Sequence, residues 1–211
     1  MAAAAPTANS TNTPLVIESQ RPNNTLLFPG ERDHDDSFPD IDFVVDGLDK
    51  PLRLHTQVLG PVSGFVRGIV RCNRGVERII RIEWPFITSN KQDQEALVMV
   101  LRFCYGDALH VVPSMVCPVV AALWRLDVRD AGDVCSRLCV FAVDVAQRDV
   151  VCGAGMLRQC VGYAECCSSQ HTQLDVLLGK AVLTKHNMEA HFEEVVEKCV
   201  VDLPVRLLDV A

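Results

Sequence analysis

A chain of 211 residues is long enough for one large domain or two small ones, and a hydrophobic share of 49% lets it bury a sizeable core. Its formal net charge of -7 argues against a nucleic-acid binder, which needs a basic footprint to displace counterions from phosphates, and equally against docking on anionic lipid. Aromatic residues make up only 6%, so Val, Leu, Ala and Ile must do most of the packing.

Residues 1–37 are rich in Ala, Thr, Asn, Pro and Asp and end in the acidic cluster Asp33, Asp35 and Asp36, which predicts a disordered tail. Within it only Pro14-Leu15-Val16-Ile17 suggests a short strand. The opening Met1-Ala2-Ala3-Ala4-Ala5-Pro6 lacks the basic and long apolar regions of a signal peptide, so a cytoplasmic or nuclear location is expected. The ten cysteines are then expected to be reduced and to pack as small buried hydrophobes, without a disulfide framework.

Order is expected from Phe38. Ile41-Asp42-Phe43-Val44-Val45-Asp46 alternates and meets Gly47, and Leu52-Arg53-Leu54-His55 returns with period two, which predicts a hairpin. Thr56-Gln57-Val58-Leu59 predicts a short helix broken at Gly60-Pro61. Ser63 is placed to cap a helix carrying Phe65, Val66, Ile69 and Val70. The β-branched run from Arg78 to Trp84 predicts a strand stopped by Pro85.

From residue 93 the period becomes helical throughout. Ala96, Leu97, Val100, Leu101 and Cys104 form one stripe, and Gly106 is a helix stop. Further helices are expected from Ser114, from Asp130 or Asp133, and over 156–167, 174–186 and 192–201. The apolar run 111–126 is short for a bilayer span and holds Pro113 and Pro118, so a buried helix is expected there. The order of elements is α+β: two strands, two helices, a strand, then helices.

Several stretches carry a family likeness. Phe38-Pro39-Asp40-Ile41-Asp42-Phe43-Val44-Val45, Leu54-His55 with Val58-Leu59, Ser63 with Phe65, and Leu101-Arg102-Phe103-Cys104-Tyr105-Gly106 resemble the successive motifs of a BTB/POZ domain. Val120 to Val128, leading to Val134-Cys135, resembles its last two helices. Tyr163-Ala164-Glu165, His191-Phe192-Glu193-Glu194-Val195-Val196 and Leu203-Pro204-Val205-Arg206-Leu207-Leu208 resemble parts of a BACK region. The resemblance implies a BTB/POZ fold at 38–143, a small three-stranded sheet capped by helices, followed by an all-α BACK-like extension at 144–211.

The function that this resemblance implies is protein binding, not catalysis. One face, at Asp40, Ile41 and Phe43, would pair with a second copy or another BTB protein as a dimer. A second face, at Phe65, Ile69, Tyr105, Leu109 and His110, would meet a cullin scaffold, making the chain a substrate adaptor for a cullin-RING ubiquitin ligase. Arg71-Cys72-Asn73-Arg74 stands where cullin-binding members often carry a hydrophobic-x-Glu motif, so a non-ligase scaffold is the alternative.

Other chemistry has weaker footing. Cys72 and Arg78 fit the Cys-x-x-Gly-x-x-Arg spacing of a cysteine phosphatase loop, which needs a thiolate cradled by backbone N–H groups and a helix starting at the Arg. Here Arg78 opens a strand-like run instead. Cys160, Cys166, Cys167, His171, His186 and His191 match no tetrahedral zinc spacing, so no metal is expected. His55 has no acidic partner within its own segment and is expected to be structural. Gly60, Gly64 and Gly68 sit four apart in a segment with no apolar span, which favours close packing in a soluble fold. No nucleotide-binding loop or nucleophile elbow occurs, and no cofactor is expected.

Overall fold

Alternation in Ile41-Asp42-Phe43-Val44 turns Ile41 and Phe43 to one side of a strand and Asp42 and Val44 to the other. The computed structural model describes residues 13–25, 28, 39–73, 79–84 and 91–164. In it the fold is α+β. Three strands, β1 (Leu15–Ile17), β2 (Ile41–Val44) and β3 (Leu52–Leu54), lead to helices α1 (Thr56–Val62) and α2 (Gly64–Cys72). Then come β4 (Ile80–Glu83), α3 (Lys91–Cys104) and β5 (Leu109–Val111). A 3-10 turn at Pro113–Met115 precedes α4 (Val116–Arg125), α5 (Ala131–Arg148) and α6 (Val150–Ala164). The chain divides into two compact units: Val16–His110 with Pro118–Ser136, and Met1–Leu15 with Val111–Cys117 and Arg137–Ala211. The boundary expected at residue 143 falls inside α5.

In the first unit, β2 is the central strand of a three-stranded sheet ordered β3-β2-β4. It pairs antiparallel with β3, Asp42 opposite Arg53, through a turn where Gly47 has φ of +82°. It pairs parallel with β4, Asp42 opposite Arg81. The inner row is Ile41, Phe43, Leu54 and Ile82, all essentially inaccessible. Burying each such side chain contributes about 1.5–3 kcal/mol. The outer row alternates in charge, Arg53, Asp42 and Arg81, and remains accessible.

Helix α1 does not break at Gly60-Pro61 as expected; it runs through to Val62, with Pro61 in its last turn. A proline removes one i to i-4 bond, here the one to Gln57, and both residues are exposed, so that carbonyl is left on the solvent side. The break comes at Ser63, whose backbone is extended (φ -111°, ψ 118°). Ser63 caps α2 as anticipated, its Oγ accepting the N–H of Val66 at 3.1 Å.

Helix α3 ends in a Schellman motif. The N–H of Gly106 reaches the carbonyl of Phe103 and that of Asp107 the carbonyl of Arg102. Gly106 has φ of +102°, a conformation that favours glycine.

Two expectations give way here. Not everything after residue 92 is helical, because Leu109-His110-Val111 forms β5 and pairs with β1. Its period-two burial, with Leu109 and Val111 inside and His110 outside, fits only three residues before Pro113. Nor are residues 16–25 and 28, expected as part of a tail, solvated throughout: Ile17 and Phe28 are buried.

In the second unit, Leu138, Ala142, Val145 and Ala146 of α5 form its buried stripe. Helix α6 packs on the 3-10 turn, and the Cys117 thiol donates to the carbonyl of Met156 at 3.4 Å. Helix α6 starts six residues before the expected 156, because Asp149 caps it through the N–H of Cys152. The helices expected over 174–186 and 192–201, and the BACK-like motifs after Ala164, lie outside the described residues.

Candidate protein-interaction surface

A hairpin end, a helix start and a helix end meet at one corner of the first unit. Asp40 precedes β2, His55 follows β3 and N-caps α1, and Tyr105 follows α3. The Asp40 carboxylate accepts the N–H of Thr56 at 2.7 Å and the Thr56 hydroxyl, so its charge sits at the N-terminus of α1, where exposed N–H groups favour an anion. Tyr105 Oη accepts the N–H of His55 at 2.9 Å and lies 3.1 Å from His55 Nδ1. Burial pushes the Tyr105 phenol well above its ordinary 10, against the smaller opposing effect of the His55 N–H. The hydroxyl therefore stays neutral at physiological pH and acts as a fixed hydrogen-bonding group.

The dimer-face candidates are distributed unevenly. Asp40 is half-buried and engaged with Thr56, while Ile41 and Phe43 are 0% exposed and point into the core. The side chains that β2 turns outward are Asp42 and Val44. Period-two alternation in the sequence contains that information, since it separates 41 and 43 from 42 and 44.

The partner-face candidates fall into different environments. Phe65 and Ile69 on α2 are half-buried. The Phe65 ring stands edge-on to Trp84 at 5.3 Å, and Trp84 meets Phe43 at 5.5 Å. Tyr105 and Leu109 are 0% exposed, and Tyr105 receives the edge of Phe28 at 5.2 Å. His110, on β5, is exposed. Accessible surface at these positions is thus offered by Phe65, Ile69 and His110.

What lies over Tyr105 is the part that sequence reasoning missed. Residues 16–25 run as a strap across the end of α3, and Phe28 packs on Tyr105. Ser19 Oγ and Arg21 Nη1 each donate to the Phe103 carbonyl at 3.3 Å, and the N–H of Asn24 donates to the Tyr105 carbonyl at 2.7 Å. The Arg21 guanidinium lies 4.7 Å from the centre of the Phe103 ring and pairs with Asp130 at 2.8 Å. A β-carbon on Gly106 would come within 2.5 Å of the Pro22 carbonyl oxygen. The only signal for this was the apolar Leu15-Val16-Ile17, since Ser, Arg and Asn used on carbonyls look like solvated residues.

The described cysteine side chains are thiols. Burial pushes Cys104 up to about 12, with Arg21 opposing and Asp130 adding; burial also raises Cys139, with Cys117 beside it, and Cys152, with Asp149 beside it. Cys72 is exposed and is the last residue of α2, whereas Arg78 lies outside the described residues. The described part of that loop connects a helix end to a strand, not a strand to a helix N-terminus. Among the described residues no group of three or more His, Cys, Asp or Glu is placed to hold a metal ion, and no helix is long and apolar enough to cross a membrane. The zinc candidates Cys166, Cys167, His171, His186 and His191, and the side chain of Cys160, lie outside what is described.

No family model, curated protein or solved structure matches this chain.

Proposed function

We propose that the chain is a BTB/POZ-type protein-interaction module that self-associates and serves as an adaptor. The observation that carries this reading is the topology of the first unit. A hairpin, β2 and β3, is followed by two helices, a third strand that returns parallel to β2, and then mainly helices. That is the small sheet with appended helices that the motifs around Asp40, His55, Ser63 and Tyr105 imply. The motif residues also have structural work consistent with it: Asp40 and His55 join hairpin to helix, Ser63 caps, and Gly106 stops α3. A second copy or another BTB protein would meet Asp42 and Val44 on the outer side of β2.

As a substrate adaptor in a cullin-RING ligase, in cytoplasm or nucleus, the chain would present Phe65, Ile69 and His110, with Tyr105 and Leu109 beneath. Exposed Arg71 and Cys72 at the end of α2, in place of a hydrophobic-x-Glu motif, favour the second reading, a non-ligase scaffold. Affinity purification of the tagged full-length chain from its own cells, with mass spectrometry, separates them. Recovery of a cullin with a RING subunit supports the adaptor. Recovery of itself or other BTB proteins without a cullin supports the scaffold. Recovery of none of these overturns the interaction-module reading.

A further inference from the structure

We propose that two copies of this chain join along the free edge of β4, antiparallel about Ile82, so that the small sheet of one continues into that of the other; this rests on the self-association reading and names the edge through which it occurs. In the order β3-β2-β4, β4 is an edge strand, with no further strand beside it among the described residues. The N–H groups of Ile80 and Trp84 donate to the Asp40 and Val44 carbonyls, on the β2 side. Successive residues of a strand turn their main-chain groups to alternate sides, so those of Arg81 and Glu83 face away from β2, along the open edge. Such an edge is a template for another strand, whose main-chain hydrogen bonds supply the affinity.

The side chains select both the partner and the register. Arg81 and Glu83 stand on the outer side, 63% and 76% exposed, and lie 3.5 Å apart. Within one chain an exposed pair of this kind contributes little. Antiparallel pairing about Ile82 sets Arg81 opposite Glu83 of the copy, and Glu83 opposite the copy's Arg81. These are the residues whose main-chain groups are open, so each pair exchanges both of its N–H···O=C bonds. Opposite charges directly across such a pair stabilise it, and like charges destabilise it. The outer row Arg53, Asp42 and Arg81 already alternates in sign, and Glu83 of the copy extends the alternation. Ile82 and its counterpart remain on the inner, apolar side.

The neighbouring registers are worse. Pairing about Arg81 brings two arginines together, and pairing about Glu83 two glutamates. A shift by a single residue turns the copy's inner row outward. Strand β3 offers no equivalent edge, because its outer side carries Arg53 alone and self-pairing there sets arginine against arginine.

Sedimentation velocity of the full-length chain, with Arg81→Glu, Glu83→Arg and the double variant, tests the pairing. Each single variant places like charges at both symmetric pairs and should raise the dimer dissociation constant on the order of tenfold. The double variant exchanges the signs and should return to the parent value. An equimolar mixture of the two single variants should recover too, as a heterodimer, since the negative edge of one meets the positive edge of the other. Single variants that dimerise as the parent does, or a double variant or mixture no better than they are, overturn the edge pairing and leave self-association to another surface. A parent chain that stays monomeric overturns the self-association reading and the edge pairing with it. Should a reversed charge unfold the chain, Glu83→Gln decides, and an unchanged dimer fraction then overturns the edge pairing.

Discussion

Gly64 and Asp127 are in such close contact that a β-carbon on Gly64 would collide with the Asp127 carboxylate. The contact belongs to a seam in which the Gly64 N–H donates to the Asp127 carbonyl at 2.8 Å and the Arg129 N–H to the Val62 carbonyl at 2.9 Å. Asp127 itself has φ of +49°. Gly64→Ala should therefore destabilise the first unit by about 1–3 kcal/mol, the usual cost of overpacking. Adding Asp127→Gly should return much of that, since it removes both the carboxylate and the side-chain strain. Urea unfolding of the single and double variants measures it; equal stability of Gly64→Ala and the parent would contradict the contact.

Ser63 connects the same seam to α2. Its hydroxyl donates to the Leu126 carbonyl at 2.6 Å while accepting the N–H of Val66, and the residue is 0% exposed. Ser63→Ala leaves a buried carbonyl and a helix N–H without this partner, at a cost of about 1–3 kcal/mol. Ser63→Thr keeps the hydroxyl and should lose less in the same unfolding measurement.

Tyr105→Phe removes the acceptor of the His55 N–H at the start of α1 and should cost about 1–3 kcal/mol. The pH dependence has a defined sign. Tyr105 and Cys104 both have folded values raised above their ordinary 10 and 9.0, so the folded state holds those protons longer than the unfolded chain. Their contribution is fully present below pH 9 and is lost as the pH rises, for Cys104 between 9 and about 12. Thermal unfolding across pH 8 to 11 should show Tyr105→Phe and Cys104→Ala losing less stability than the parent over that range.

Asp40 offers a way to separate folding from association. Asp40→Ala removes the carboxylate at the N-terminus of α1 and should destabilise the chain by about 0.5–2 kcal/mol. Asp42→Ala, on the outer side of β2, should leave stability within about 0.5 kcal/mol of the parent. Under the proposed self-association, sedimentation velocity should show Asp42→Ala altering the dimer fraction; an unchanged fraction would remove the outer side of β2 from the dimer.

Where local chemistry decides the structure, the sequence was a good guide. Alternation at 41–44 and 52–54 gave the hairpin, Ser63 the cap, and the stripe from Ala96 to Cys104 with Gly106 the third helix and its stop. Misreadings arose where distant residues decide. Leu109-His110-Val111 is a strand because β1 is beside it, and nothing local distinguishes three such residues from the start of a helix. Arg21 looks solvated until Phe103 and Asp130 are found around it. Pro61 did not break the helix, which ends at Ser63, since an exposed carbonyl tolerates the missing bond. Of the residues expected on interaction faces, Ile41, Phe43, Tyr105 and Leu109 are buried, because which side chains remain accessible depends on packing across the unit.

The strap's contacts also set an order of events during synthesis. Ser19 is separated from Phe103 by 84 positions and Arg21 from Asp130 by 109. At a ribosomal rate of about 5–20 residues per second, Arg21 waits on the order of 5–20 s before its carboxylate partner exists. The strap is thus the first of these segments to leave the ribosome and among the last to dock, and throughout that interval Ile17 and Phe28 are available to chaperones.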